Sequence, residues 1–199
     1  MSRRTEYLVA VLLAAPAVLV LYAFVHEAGH ALVALANGAT IEEFVFLGPG
    51  AHVTWSGGTW TDATIILSTV AGIGLPVLLV LLLLLVYRAR VRSITYHVAH
   101  GAAAVGVTFT TLLWIAVPLI ALTGGTPSID DDVVHALDAG APAAVVGLCA
   151  LATLVLLVGL AVRRGLTTAL LEIVREVRAA QTAPGPAPEA QPGADPVRR

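Results

Sequence analysis

The sequence has little charge, no lysine and a single cysteine. Only 12% of its 199 residues are charged, whereas 58% are hydrophobic and the mean hydropathy is +0.89. The lone cysteine, Cys149, cannot form a disulfide bond within the chain, and its apolar surroundings favour a packing role. The scarcity of charge argues against a water-soluble domain and is typical of a membrane protein.

Four apolar runs are long enough to cross a bilayer as helices, which takes more than about 18 residues. They cover residues 7–36, 63–87, 94–122 and 141–162. Asn37-Gly38 is a typical helix C-terminus and ends the first run. Residues 166–180 have the pattern of an amphipathic helix. We therefore predict an α-helical polytopic membrane protein with about four transmembrane helices.

The segment between the first two runs has a different pattern. Residues 41–47 and 51–56 are rich in β-prone side chains, and Gly48-Pro49-Gly50 between them is a turn signal. This predicts a β-hairpin insertion after the first helix, with a short third strand at residues 59–61. An irregular interfacial loop is the alternative.

One polar motif, His26-Glu27-Ala28-Gly29-His30, lies inside the first apolar run. Ionisable groups are costly in lipid, so their presence indicates a function. Positions i and i+4 share one face of a helix, so both imidazoles can bind the same metal ion. Glu27 lies about 100° round the helix, where it can reach a water molecule rather than the metal. The alternative is a polar pocket inside a helical bundle.

A catalytic zinc ion needs a third protein ligand and an open position. The acid cluster Asp130, Asp131 and Asp132 follows the third apolar run and supplies candidates. Its alternative role is to cap a helix, because Ser128 and Asp131 have the spacing of a capping box. Both roles hold together if one aspartate binds metal while its neighbours stabilise a helix N-terminus.

Three other histidines and one run of small residues are secondary candidates. His97 and His100 could bind a second metal, but their spacing also fits a pair that faces the bundle or the interface. His52 is expected to be an exposed loop residue. The segment Ala71 to Pro76 lets another helix approach closely, and it either serves general packing or lies against the histidine motif.

Arginine is unevenly distributed along the chain. All 11 arginines lie at the N-terminus, between residues 88 and 92, or after residue 162. The loops 37–62 and 123–140 carry acids and no arginine. With four spans, the arginine-bearing regions fall on one side, which the positive-inside rule makes cytoplasmic. We therefore expect an integral protein of the cell membrane with both termini in the cytoplasm.

Together these features resemble the site-2 protease family of intramembrane zinc metalloproteases, particularly its small members. The likeness is carried by the HExxH motif in the first span, the β-prone insertion, the small-residue segment ending at Pro76 and the later aspartates. It implies His26 and His30 as zinc ligands, Glu27 as the base and an aspartate as third ligand. It further implies hydrolysis of peptide bonds in single-span or membrane-associated proteins.

The family's Asn-x-x-Pro…Asp-Gly pattern is absent, so the choice among the three aspartates rests on spacing. We prefer Asp131, because its distance from Gly140-Ala141-Pro142 is most like that in small members. Residues 1–180 would then form the integral-membrane metalloprotease domain, and residues 181–199 a disordered tail rich in proline, alanine and glycine. A catalytically silent metal-binding scaffold and a metal transporter are the alternatives, and no nucleic-acid partner is expected.

Overall fold

The structure is mainly helical, with 75% of the described residues in helices. The computed structural model describes residues 2–48, 50–127 and 131–182. Its elements in chain order are α1 (Arg3–Ala36), β1 (Ala39–Val45), β2 (His52–Gly57), α2 (Asp62–Val86), α3 (Ile94–Leu122), α4 (Asp132–Asp138), α5 (Ala143–Arg163) and α6 (Leu166–Thr182).

Four of these helices, α1, α2, α3 and α5, are long and apolar enough to cross a membrane. They match the four predicted runs, although α1 begins four residues earlier than predicted. The predicted end of α1 is confirmed, because Asn37 caps it, its side-chain amide donates to the Val33 carbonyl at 2.8 Å, and Gly38 takes a φ of 79°. The Asn37 cap and the positive φ of Gly38 therefore determine where the helix with the histidine motif ends.

The hairpin after α1 is present as two antiparallel strands. Val45 pairs with His52 and Ala39 with Gly57, and the register is irregular between Ile41 and Glu43. The predicted third strand is wrong, since residues 59–61 form no strand. Gly57 bends the chain with a φ of 71°, and the chain then runs directly into the capping box that starts α2.

Helix α1 lies between α2 and α3, and α3 packs along α5. The short helix α4 packs against α2 and α3 through Val133 and Ala136, which are both completely buried. Val133 joins Ile73 of α2 and Trp114 of α3 in one apolar cluster. This cluster fixes α4 at the end of the bundle where α1 carries its histidines.

The predicted amphipathic helix is confirmed as α6. Its apolar stripe of Leu166, Ala169 and Ile173 is buried, and the helix packs on α3, α5 and α1. The disordered tail was predicted for residues 181–199, but residues 181 and 182 belong to α6, and residues 183–199 lie outside the described residues. Cys149 is exposed on α5, so the packing role predicted for it is wrong. The apolar residues near Cys149 in the sequence misled the prediction, because the outer face of α5 exposes many apolar side chains.

Candidate metal centre

His26 and His30 lie one turn apart on α1 and turn their rings towards the same point. Their Nε2 atoms are 3.3 Å apart, and their ring centroids are separated by 4.8 Å. Tyr22, one turn earlier on the same face, stacks on His26 with a centroid distance of 5.7 Å. The i, i+4 spacing therefore brings both imidazoles together, as expected from the sequence.

The third member of the group is Asp132, the first residue of α4. Its Oδ2 atom lies 3.1 Å from Nε2 of His26 and 3.1 Å from Nε2 of His30. Ligand atoms about 2.0–2.1 Å from a tetrahedral zinc ion are about 3.3–3.4 Å from one another. The three observed distances are close to that value, so this donor set fits a metal ion in both chemistry and spacing.

Asp131, the aspartate preferred from the sequence, has a different position. It is the N-cap of α4, and its Oδ1 atom accepts a hydrogen bond from the Val133 amide at 3.3 Å. A side chain that turns back to cap its own helix is not directed at α1. The candidate ligand therefore moves to Asp132, while Asp130 lies outside the described residues.

The charge of Asp132 suits a metal ligand. Burial by itself raises the pKa of this carboxyl, but hydrogen bonds from His26 and His30 and attraction to their rings outweigh that effect. The pKa of Asp132 is consequently held below its ordinary value, and the group stays ionised at neutral pH. An ionised carboxylate beside two imidazoles is a common set of zinc ligands.

The backbone of α2 covers the metal centre from one side. A Cβ atom at Gly72 would lie 2.5 Å from His30 Nε2 and 3.0 Å from Asp132 Oδ2. One at Gly29 would overlap the carbonyl oxygen of Ala71. The small-residue segment thus lies against the histidine motif, as the sharper of the two sequence interpretations proposed. Gly29 is needed because the α2 backbone occupies the space beside it, and Gly72 is needed because the His30 and Asp132 side chains do.

A cavity of about 1120 Å³ opens beside the three ligands. Glu27 is only 6% exposed, yet its side chain lines this cavity without belonging to the ligand group. Residues from β2, the start of α2 and α4 form the other walls, including Trp55, Trp60 and Asp138. The arrangement places a group that could hold a metal ion and a buried carboxylate beside one open cavity.

The other histidines do not belong to the ligand group, although His52 and His135 line the same cavity. His52 is exposed on β2, where Nδ1 lies 2.7 Å from the Gly50 carbonyl and Nε2 lies 3.4 Å from the Glu43 carboxylate. The contacts with Gly50 and Glu43 raise the pKa of His52. His97 and His100 lie at the opposite end of α3 and contact tyrosines and backbone carbonyls.

The sequence contained a partial signal for Asp132. Val133, Ala136 and Leu137 have helical spacing, and a helix that buries them needs its cap at Asp131. The first helical residue is then Asp132. No such signal existed for Gly72, because its role depends on how α1 and α2 cross.

Comparison of the chain with protein-family models, with curated proteins and with solved structures gives no match. A function for the site must therefore be argued from its own residues and geometry.

Proposed function

We propose that this protein is a zinc-dependent intramembrane endopeptidase of the site-2 protease type. The observation that carries the proposal is the meeting of His26, His30 and Asp132 at distances that suit one tetrahedral ion. Glu27 and a large open cavity lie beside these ligands. A merely structural polar pocket does not need a buried carboxylate beside the ligand group or room for a substrate.

Membrane insertion is supported by the surface of the bundle. Large apolar side chains are exposed along the long helices, among them Leu12 at 70%, Leu19 at 71% and Phe109 at 69%. Contiguous exposed apolar surface of this kind needs a lipid or protein covering. In the proposed orientation the arginine-bearing end is cytoplasmic, and the metal centre lies towards the opposite face.

In the proposed reaction His26, His30 and Asp132 would hold the zinc ion. A bound zinc ion supplies polarisation of a water molecule and of a peptide carbonyl. Glu27 takes a proton from the attacking water and can pass it to the departing amine. Asp132 Oδ2 lies 3.1 Å from both imidazole Nε2 atoms, so all three groups face one point, and the helix backbone at Gly72 limits the movement of His30.

Two other functions fit fewer observations. A silent metal-binding scaffold has no use for Glu27 beside an open cavity. A transporter needs polar groups along a path through the bundle, but within the described residues α5 has no acid and α2 has only Asp62, in its first turn. The peptidase accounts for the ligands, the base and the cavity together.

The test is a comparison of the wild type with the Glu27→Gln variant in lipid. We expect the variant to retain zinc but to cleave a single-span test substrate about 10²–10⁴-fold more slowly, because glutamine cannot accept the proton. Zinc is measured by mass spectrometry and cleavage by gel mobility. Undiminished cleavage by the variant would refute the proposed mechanism.

The orientation is tested separately with reporter fusions. A reporter placed after Ala51 should locate outside the cytoplasm, and one placed after Arg164 inside it, since an odd number of proposed spans separates them. Location of both reporters on one side would refute the four-span topology.

A further inference from the structure

The walls of the cavity carry acids and no arginine. Five carboxylates line it, namely Glu27, Asp62, Asp131, Asp132 and Asp138. The chain has no lysine, and besides the proposed ligands His26 and His30 only His52 and His135 among the described lining residues can carry a positive charge. The two positive charges of a zinc ion would still leave the cavity negative. A cleft of one sign attracts ligands of the opposite sign.

The same cavity contains a buried hydroxyl group, that of Ser68, which indicates a binding site for a polar ligand group. Ser68 is only 4% exposed and lines the cavity, yet its Oγ atom has no hydrogen-bond partner among the described residues. Its neighbour Thr69 instead donates to the Ile66 carbonyl at 2.9 Å. Buried polar atoms normally have partners, so the Ser68 hydroxyl is available to a ligand.

Two tryptophans also line the cavity. Trp55 of β2 and Trp60, which precedes α2, stack with a centroid distance of 5.3 Å and an interplanar angle of 27°. The Trp60 ring is fixed by a hydrogen bond from its Nε1 to the Gly57 carbonyl at 3.0 Å. A guanidinium group packs favourably on such a face. Asp62 and Asp138, both exposed, line the cavity along with these rings.

We propose that the cavity selects a protein segment that carries a basic side chain close to the bond to be cut. This inference rests on the proposed peptidase function and specifies its substrate class. The arginine side chain lies on the tryptophan pair, and its charge is attracted by Asp62 and Asp138. The substrate backbone extends past Ser68 towards Glu27 and the metal ligands. A segment with acids at the same positions is repelled by these carboxylates.

The test uses the full-length, zinc-loaded protein in lipid nanodiscs. Three single-span substrates differ only in two residues of the segment outside the span, which are both arginine, both glutamine or both glutamate. Binding is measured by photo-crosslinking to the Glu27→Gln variant, and cleavage is measured with the wild type. We expect the arginine substrate to bind on the order of tenfold more tightly than the glutamate substrate, with glutamine between them.

Variants that change the charge of the cavity wall test whether the preference for the arginine substrate arises there. Asp62→Asn combined with Asp138→Asn should reduce it to less than about threefold, and the corresponding lysine pair should reverse it. Glu42→Lys is the matched control, because Glu42 is exposed on β1 but does not line the cavity, and it should keep the preference.

The outcomes separate the two proposals. Equal binding of the three substrates, or tighter binding of the glutamate substrate, overturns the inference about charge. Failure of the wild type to cleave any of them overturns the peptidase, and the binding series on the Glu27→Gln variant still decides whether the cavity prefers basic segments.

Discussion

The two ends of the bundle each hold a pair of histidines at helical spacing, but the pairs are used differently. His26 and His30 turn their Nε2 atoms towards each other and towards a carboxylate from another helix. His97 donates from Nε2 to the Val91 carbonyl at 2.6 Å, and its Nδ1 lies 2.6 Å from the Tyr87 hydroxyl. Both ring nitrogens of His97 are therefore occupied by protein groups.

The second pair belongs to a structural cluster. The rings of Tyr96 and His100 are 4.2 Å apart, Tyr87 stacks on Tyr96 at 5.4 Å, and the Tyr96 hydroxyl accepts from the Arg88 amide at 3.0 Å. These contacts close the turn between α2 and α3. Helical spacing alone therefore does not define a metal site. The distinguishing features are ring nitrogens that face each other rather than a tyrosine or a backbone carbonyl, and an acid brought in by a second element.

The largest expected difference between the two ends is in metal content. His30→Ala removes one of the three proposed protein ligands, so zinc affinity should fall more than about 100-fold, since even loss of an outer hydrogen-bonded partner costs about 10–100-fold. His100→Ala makes the same chemical change in the other cluster and should leave zinc bound. Zinc per protein is measured by mass spectrometry after dialysis. Retention by His30→Ala with loss by His100→Ala would reverse the assignment of the two ends.

The second prediction concerns the backbone that covers the metal centre. Gly72→Ala places a methyl group 2.5 Å from His30 Nε2, whereas nothing lies within 4 Å of a Cβ atom at Gly74. Overpacking typically costs about 1–3 kcal/mol. If this strain destabilises only the zinc-bound state, it lowers zinc affinity by about 5–150-fold. Gly74→Ala lies on the same helix and should bind zinc normally.

The two glycine variants are compared by zinc titration and by thermal unfolding of the metal-free proteins. If both bind zinc like the wild type, the close approach of α2 to His30 is not a feature of the metal centre. If Gly72→Ala unfolds at a much lower temperature without metal, its effect lies in general helix packing instead.

The sequence was most informative where a feature is local. Run length and Asn37-Gly38 predicted the helices, and the HExxH spacing brought His26 and His30 to one face of α1. It was least informative where two elements meet. Which aspartate faces α1 depends on the burial of Val133 and Ala136 of α4, which moves the candidate ligand from Asp131 to Asp132. Likewise, no local pattern distinguishes Gly72 from Gly74.

The smallest effect is expected at Asp131, and it is measured against its neighbour Asp132. Asp132→Asn removes the charge of a proposed direct ligand, so zinc affinity should fall by more than the about 10–100-fold that loss of an outer partner costs. Asp131→Asn should hardly alter zinc binding, because asparagine caps a helix about as well as aspartate. Asp131→Ala removes the cap on α4 and should cost about 0.5–2 kcal/mol of stability.

These three variants are measured by zinc competition with a chromophoric chelator and by thermal unfolding. The structure predicts that the affinity loss occurs at Asp132 and the stability loss at Asp131, because only Asp132 contacts the histidines and only Asp131 accepts from the Val133 amide. The reverse pattern, with zinc weakened by Asp131→Asn and unchanged by Asp132→Asn, would restore the ligand preferred from sequence spacing. It would also mean that α4 begins at a different residue when metal is bound.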